Sequence, residues 1–162
     1  MKLTFITLAL LFTAAFTTSI APGLYKITCA SNGNVMDIEY GGTSDGSNLI
    51  IYPWHTGTNQ QFTVNYVDGS WATLVAKNSG RALTVKSNSS GASFTQQTVT
   101  GNSNQQFSFW VAKDGSYLIK NRASGLVLNC NSDSKSSGSN RLAIQESRSC
   151  NANEKFTFTK LN

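Results

Sequence analysis

Charge is scarce in this chain. Only 13% of its 162 residues are Asp, Glu, Lys or Arg, against about 25% in average globular proteins. The 13 basic and 8 acidic residues are scattered. No Lys/Arg run and no basic stripe interleaved with aromatics occurs, so nucleic acid is not an expected partner. Histidine occurs once, as His55. That excludes a His-based metal site and leaves no Cys/His or Ser/His/Asp arrangement for catalysis. The scattered carboxylates mark out no glycosidase dyad, and no Gly-rich phosphate loop is present. No metal, no cofactor and no enzymatic activity are expected. A sustained helical period is missing as well, which turns attention to strands.

Long apolar runs are confined to the start. Met1-Lys2 is basic, Leu3 to Phe16 is apolar, and Thr17 to Ala21 is small and mostly polar. This is the plan of a secretory signal peptide, and the run is short for a membrane span. Residues 1–21 are therefore expected to be a signal, cut between Ala15 and Ala21, with one domain over 22–162. No later stretch is apolar enough to span a bilayer. Losing Lys2 leaves 12 basic and 8 acidic residues, a net charge of 12 − 8 = +4. The expected location is extracellular. The 3 cysteines, Cys29, Cys130 and Cys150, allow at most one internal disulfide in that compartment. Asn88-Ser89-Ser90 is the one Asn-x-Ser/Thr sequon, which makes Asn88 a candidate glycosylation site.

What the chain has in place of charge is Ser, Thr, Asn, Gln and Gly, and a repeat. Asn59-Gln60-Gln61-Phe62 returns as Asn104-Gln105-Gln106-Phe107, and in outline as Asn153-Glu154-Lys155-Phe156. The intervals are 104 − 59 = 45 and 153 − 104 = 49 residues. Asp68-Gly69-Ser70 and Asp114-Gly115-Ser116 punctuate the chain as turns, giving units of about 23–69, 70–115 and 116–162. Each unit holds four short alternating runs. They are Tyr25/Ile27, Met36/Ile38, Leu49/Ile51 and Phe62/Val64 in the first. The second has Thr73/Val75, Leu83/Val85, Phe94 with Gln96, and Phe107/Phe109. The third has Tyr117/Ile119, Leu128/Cys130, Leu142/Ile144 and Phe156/Phe158. Gly33, Gly80 and Gly125 mark one turn in each copy. Three units of four strands are too few for a propeller. They fit an all-β, pseudo-threefold β-trefoil, whose closure removes exposed strand edges.

On these motifs the chain resembles the ricin B-type lectins, in particular small secreted fungal members. That family carries three Gln-x-aromatic motifs, here Gln60-Gln61-Phe62, Gln105-Gln106-Phe107 and the altered Glu154-Lys155-Phe156. The resemblance implies that Phe62, Phe107 and Phe156 are core residues. It also implies that the first side chain of each motif satisfies backbone otherwise left unpaired, a loss of about 1–3 kcal/mol. It implies a carbohydrate site made of an Asp on the second strand, an aromatic after the third and an Asn before the motif. The first repeat matches, with Asp37, Tyr52 and Asn59. Trp54 and His55 are candidate rim residues, Trp54 being read first as a core plug. Ile50 stands where relatives often carry Gln. The second repeat has Thr84 and Gln97 instead and reads as lost or altered. The third offers Asn129, Gln145 and Asn153, with the loop 132–140 as a rim. Cys130 aligns with core positions, and a Cys130–Cys150 disulfide would resemble the loop-closing bonds of the family.

The expectation is a secreted, non-catalytic lectin that binds glycans or glycoproteins mainly through its first repeat. The alternative is a protein-binding trefoil, for instance a secreted protease inhibitor. The sugar and the oligomeric state are left open.

Overall fold

A computed structural model of the chain describes residues 19–130 and 141–162. Most of the expected signal segment and the loop 132–140 lie outside the described residues. Thirteen strands are present among the described residues. They are β1 (Gly23–Cys29), β2 (Val35–Ile38), β3 (Leu49–Tyr52), β4 (Phe62–Asp68), β5 (Trp71–Ala76), β6 (Ala82–Val85) and β7 (Phe94–Gln97). They continue as β8 (Phe107–Val111), β9 (Tyr117–Asn121), β10 (Val127–Asn129), β11 (Arg141–Leu142), β12 (Ile144–Glu146) and β13 (Phe156–Lys160). The expected twelve are all there, the eleventh split at Ala143 into β11 and β12. No helix among the described residues is long and apolar enough to cross a membrane.

Six strands close on themselves. β1 pairs with β13, β13 with β9, β9 with β8, β8 with β5, β5 with β4, and β4 with β1, all antiparallel. The hairpins β2–β3, β6–β7 and β10–β12 stand outside this ring. Barrel plus three hairpins is the β-trefoil. Gly33, Gly80 and Gly125 have φ of 73°, 70° and 71°. Their N–H groups donate to the carbonyls of Cys29, Ala76 and Asn121, so one glycine turn leads from barrel to hairpin in every copy. The left-handed φ is the reason glycine sits there.

The core follows from alternation. Phe62, Phe107 and Phe156 are completely buried, each removing apolar surface worth about 1.5–3 kcal/mol. Two alternation readings need correcting. On β5 the core side chains are Ala72, Leu74 and Ala76, not Thr73 and Val75. The register sets Leu74 opposite Val64 and Ala76 opposite Phe62, and opposed residues share a face. Before β13 the buried pair is Ala143 and Gln145, whereas Leu142 is exposed. Gln145 tolerates burial because its Nε2 donates to Ser87 O and Ser89 O and its Oε1 accepts from Ser124. Gln96 does the same one repeat earlier, donating to Gly42 O and Ser44 O.

One end of the barrel is filled by rings. Phe158 meets Tyr25, Phe109 and Tyr117 edge-on at centroid distances of 5.8, 5.1 and 5.7 Å. Ile20 is buried there, and Tyr66 Oη donates to its carbonyl at 2.8 Å. Tyr25 Oη donates to Ala21 O. The packed unit therefore includes Ile20 and Ala21, ahead of residue 22.

The disulfide differs from expectation. Cys29 is joined to Cys130, and Cys150 is free and exposed. Cys29 and Cys130 are completely buried, with Cα atoms 6.4 Å apart, a normal span for the bond. It ties the first repeat to the third. Cys150 lies in the turn before Glu154. Thr56, Gly101 and Cys150 stand four residues before Gln60, Gln105 and Glu154, and all have left-handed φ (67°, 75° and 60°). Only the middle copy uses glycine.

Two measurements check these points. The loop closed by the Cys29–Cys130 bond spans 101 residues, so Cys29→Ala with Cys130→Ala should cost about 2–5 kcal/mol. Thermal melts should fall by on the order of 10 °C, while one thiol alone, Cys150, reacts with iodoacetamide in the native wild type. An unchanged melt would contradict the pairing. Thr56→Gly removes a left-handed penalty of about 1–2 kcal/mol and adds chain entropy worth about 0.4–1. Its melting temperature should therefore rise, with a net gain of up to about 1.6 kcal/mol; a lower melting temperature would show that Thr56 is not strained.

Candidate functional site

The site grows out of the turn before β4. Gln60 is completely buried. Its Oε1 accepts from His55 N at 2.8 Å and its Nε2 donates to Pro53 O at 2.8 Å. The 53–56 turn is thereby pinned against the barrel. Gly57 lies where a Cβ would run into Asn59 Oδ1 and the His55 ring. The missing side chain lets His55 and Asn59 close on Asp37.

Asp37 is only 2% exposed. It points away from the apolar core, as alternation on β2 requires, yet it is enclosed by polar partners rather than solvent. Asn59 Nδ2 donates to Asp37 Oδ1 at 2.8 Å, and His55 Nε2 donates to Asp37 Oδ2 at 3.2 Å. Asn59 Nδ2 also donates to Ile38 O at 3.0 Å. With that amide engaged, Asn59 holds Asp37 in place and offers a ligand only its Oδ1. Burial raises the Asp37 carboxyl above its ordinary value of 3.8, and hydrogen bonds from Gln60, His55 and Asn59 with the charge of His55 oppose that rise.

Asp37, His55 and Asn59 line a cleft of about 360 Å³ together with Tyr40, Gly41, Ile50 and Tyr52, at the small end of ligand sites. Tyr52 and Tyr40 are 46% and 91% exposed. The Tyr52 ring meets His55 edge-on at 6.1 Å, with planes 71° apart. The cleft thus joins a buried acceptor to exposed rings. A carboxylate accepts strong, charge-assisted hydrogen bonds, and a ring covers an apolar face while staying wet at its edge.

Of the residues expected here, Asp37, Tyr52, Asn59 and His55 come together. Trp54 does not line the cleft and does not plug the core; it is half-buried, with Lys26 Nζ 5.2 Å from its ring centroid. Tyr40 was missed. It sits in the 3-10 turn Glu39–Gly41 with φ 55°. Its signal was an aromatic beside Gly41-Gly42, three residues after the candidate Asp.

The other copies differ. In the second, a cleft of about 240 Å³ includes Thr84, Gln97 and Asn104 but no aromatic ring. Its one carboxylate, Asp45, is held by Arg81 at 2.6 Å and by Thr98. In the third, Gln145 is a completely buried structural side chain, not a ligand group. The residue in the place of Tyr52 is Glu146, thirteen residues being the distance from Leu49 to Phe62 and from Ala143 to Phe156. Asn129 Nδ2 donates to Glu146 Oε2 at 3.1 Å. Asn153 is half-buried and donates its N–H to Asn151 Oδ1. Asn88 is exposed in the loop between β6 and β7. Among the described residues no cluster of His, Cys, Asp and Glu is arranged to hold a metal ion.

A closed six-strand barrel with three hairpins defines the β-trefoil class. The model of the ricin-type beta-trefoil lectin domain-like family matches residues 11–100 and 103–162, and the chain belongs to that family. A search of curated protein sequences found no match. Among solved structures, the designed 3-fold symmetric protein ThreeFoil is 36% identical. It superposes with a TM-score of 0.80 over 86% of this chain and 99% of its own. An exo-beta-1,3-galactanase from Clostridium thermocellum is 25% identical with a TM-score of 0.79; the match covers 86% of this chain but 30% of the galactanase. The Macrolepiota procera ricin B-like lectin, solved in complex with lactose, is 21% identical with a TM-score of 0.72. That match covers 89% of this chain and all of the lectin.

The raised Asp37 carboxyl sets a sign for stability. A folded state that holds a carboxyl above its unfolded value favours the proton, so stability from this group is greatest in acid and is lost as pH rises through the folded value. Asp37→Asn keeps an acceptor and removes the buried charge. It should melt higher than wild type near neutral pH, by roughly 2–4 °C per kcal/mol relieved. The difference should vanish below the ordinary Asp range. A variant that melts lower at neutral pH would show that the hydrogen bonds of the carboxylate outweigh its burial.

Proposed function

We propose that this protein is a secreted, non-catalytic carbohydrate-binding protein that holds a glycan in the Asp37–Tyr52 cleft. Membership of the ricin-type lectin family supports carbohydrate as the ligand class. The observation that favours the first repeat is the pairing of a buried carboxylate with an exposed ring, absent from the described part of the second and third copies. In this reading Asp37 accepts from sugar hydroxyls, Tyr52 covers the sugar's C–H face, and Tyr40 closes the opposite side of the opening. Asn59 and His55 fix the carboxylate. Binding is reversible, and no step of bond breaking is assigned to any residue. The signal-like start and the buried Cys29–Cys130 bond support an extracellular location.

Galactosides are the first ligands to try, because a lactose complex and a galactanase stand among the similar structures. Ile50, which lines the cleft where relatives often carry Gln, removes one polar contact and argues for a preference of its own.

A glycan array with wild type, Asp37→Ala and Tyr52→Ala tests the reading. The wild type should bind at least one glycan class. Each substitution should weaken it by about 10–100-fold, the worth of a charge-assisted hydrogen bond of about 1.5–3 kcal/mol or of a lost ring of similar size. Binding that ignores both substitutions would move the site elsewhere, and no binding to any glycan would remove the lectin reading.

A further inference from the structure

A second pocket lies between the β8–β9 hairpin and the turn before β13. It encloses about 450 Å³ and shares no residue with the Asp37 cleft. Its apolar part is Trp110, Val111 and Leu118, and its cationic part is Lys113, Arg148 and Lys155. Trp110 is 39% exposed and Val111 52%, while Leu118 is buried. Two cations already stand by the indole: Lys120 Nζ lies 4.4 Å and Arg148 Cζ 5.5 Å from the ring centroid.

Negative charge does not balance this pocket. Asp114 is bound to Lys155 at 2.7 Å. Glu154 is completely buried and accepts from Ser149 N and Cys150 N. Among the described residues no carboxylate forms an ion pair with Lys113, Arg148 or Lys120. Arg148 Nε donates instead to the sulfur of Cys150 at 3.1 Å, which places the free thiol in the pocket wall.

We propose that this pocket binds a small amphipathic organic anion. A flat or branched apolar body fits against Trp110, Val111 and Leu118, and a carboxylate or sulfonate faces Arg148 and Lys113. A cation is disfavoured by the surplus of positive charge. A neutral sugar is disfavoured because the wall offers apolar surface and cationic donors but no side-chain carboxylate or amide to accept from hydroxyls. The enclosed shape, without a basic stripe leading away from it, disfavours a polyanion such as nucleic acid.

The probe is 1-anilinonaphthalene-8-sulfonate, titrated by fluorescence into the folded protein. Saturable one-site binding is expected, weakened tenfold or more by Trp110→Ala and by Arg148→Ser, both checked for native circular dichroism. The uncharged analogue N-phenyl-1-naphthylamine should bind at least tenfold more weakly. Saturating probe should also slow alkylation of Cys150 by iodoacetamide, a readout independent of fluorescence. Non-saturable binding, equal affinity in both variants, equal affinity for the uncharged analogue, or an unprotected Cys150 would each overturn the proposal.

Discussion

One polar side chain per repeat holds this protein together where its barrel meets its loops. A chain that turns from a loop into a buried strand must bring N–H and C=O groups with it, and each left unpaired costs about 1–3 kcal/mol. Gln60 answers by bonding His55 N and Pro53 O. Gln105 bonds Thr98 O, Thr100 N and Gly101 N. Glu154 has no amide to donate, and it accepts from Ser149 N, Cys150 N and the Ser149 hydroxyl instead. The third solution is chemically different and geometrically the same. The turn that each one pins carries a left-handed residue at Thr56, Gly101 or Cys150, and the Phe that follows each one fills the core.

The candidate site sits on top of that constraint. In the first copy the pinned turn delivers His55 and Asn59 to Asp37, and the two partners keep a carboxylate in place that burial would otherwise favour in its neutral form. The cleft is thus a place where the fold tolerates strain and desolvation. In the second copy Thr84 replaces the carboxylate, and Gln105 Nε2 donates to its hydroxyl. There the same geometry has become ordinary internal hydrogen bonding. The scaffold is common to the three repeats, and among the described residues the cleft that joins a buried carboxylate to exposed rings is in the first.

Much of this was legible in the sequence because trefoil packing repeats. The phase of the Gln-x-Phe motifs, the glycine before each hairpin and the period-two runs gave the fold and the twelve strands. Asp37, Tyr52 and Asn59 followed from the resemblance to the ricin B-type lectins, matched repeat by repeat. What misled was local. Val75 and Ile144 look like core residues by period-two alternation, but the register of β4 on β5 and the burial of Gln145 put other side chains inside. Sequence parity cannot show that a glutamine is buried when its partners, Ser87 and Ser89, come from the preceding repeat. Nor did it show that Cys29 reaches Cys130 across 101 residues. Tyr40 was hidden for another reason: a turn with left-handed φ, not a strand alternation, aims it at the cleft.

The central claim is that one cleft, in the first repeat, carries the binding. A backbone amide correlation spectrum followed through titration with a bound saccharide locates it directly. The largest shifts should fall on residues 37–41, 50–52 and 55–59, with residues 84–105 unmoved. Shifts centred on Thr84, Gln97 and Asn104 would contradict the account.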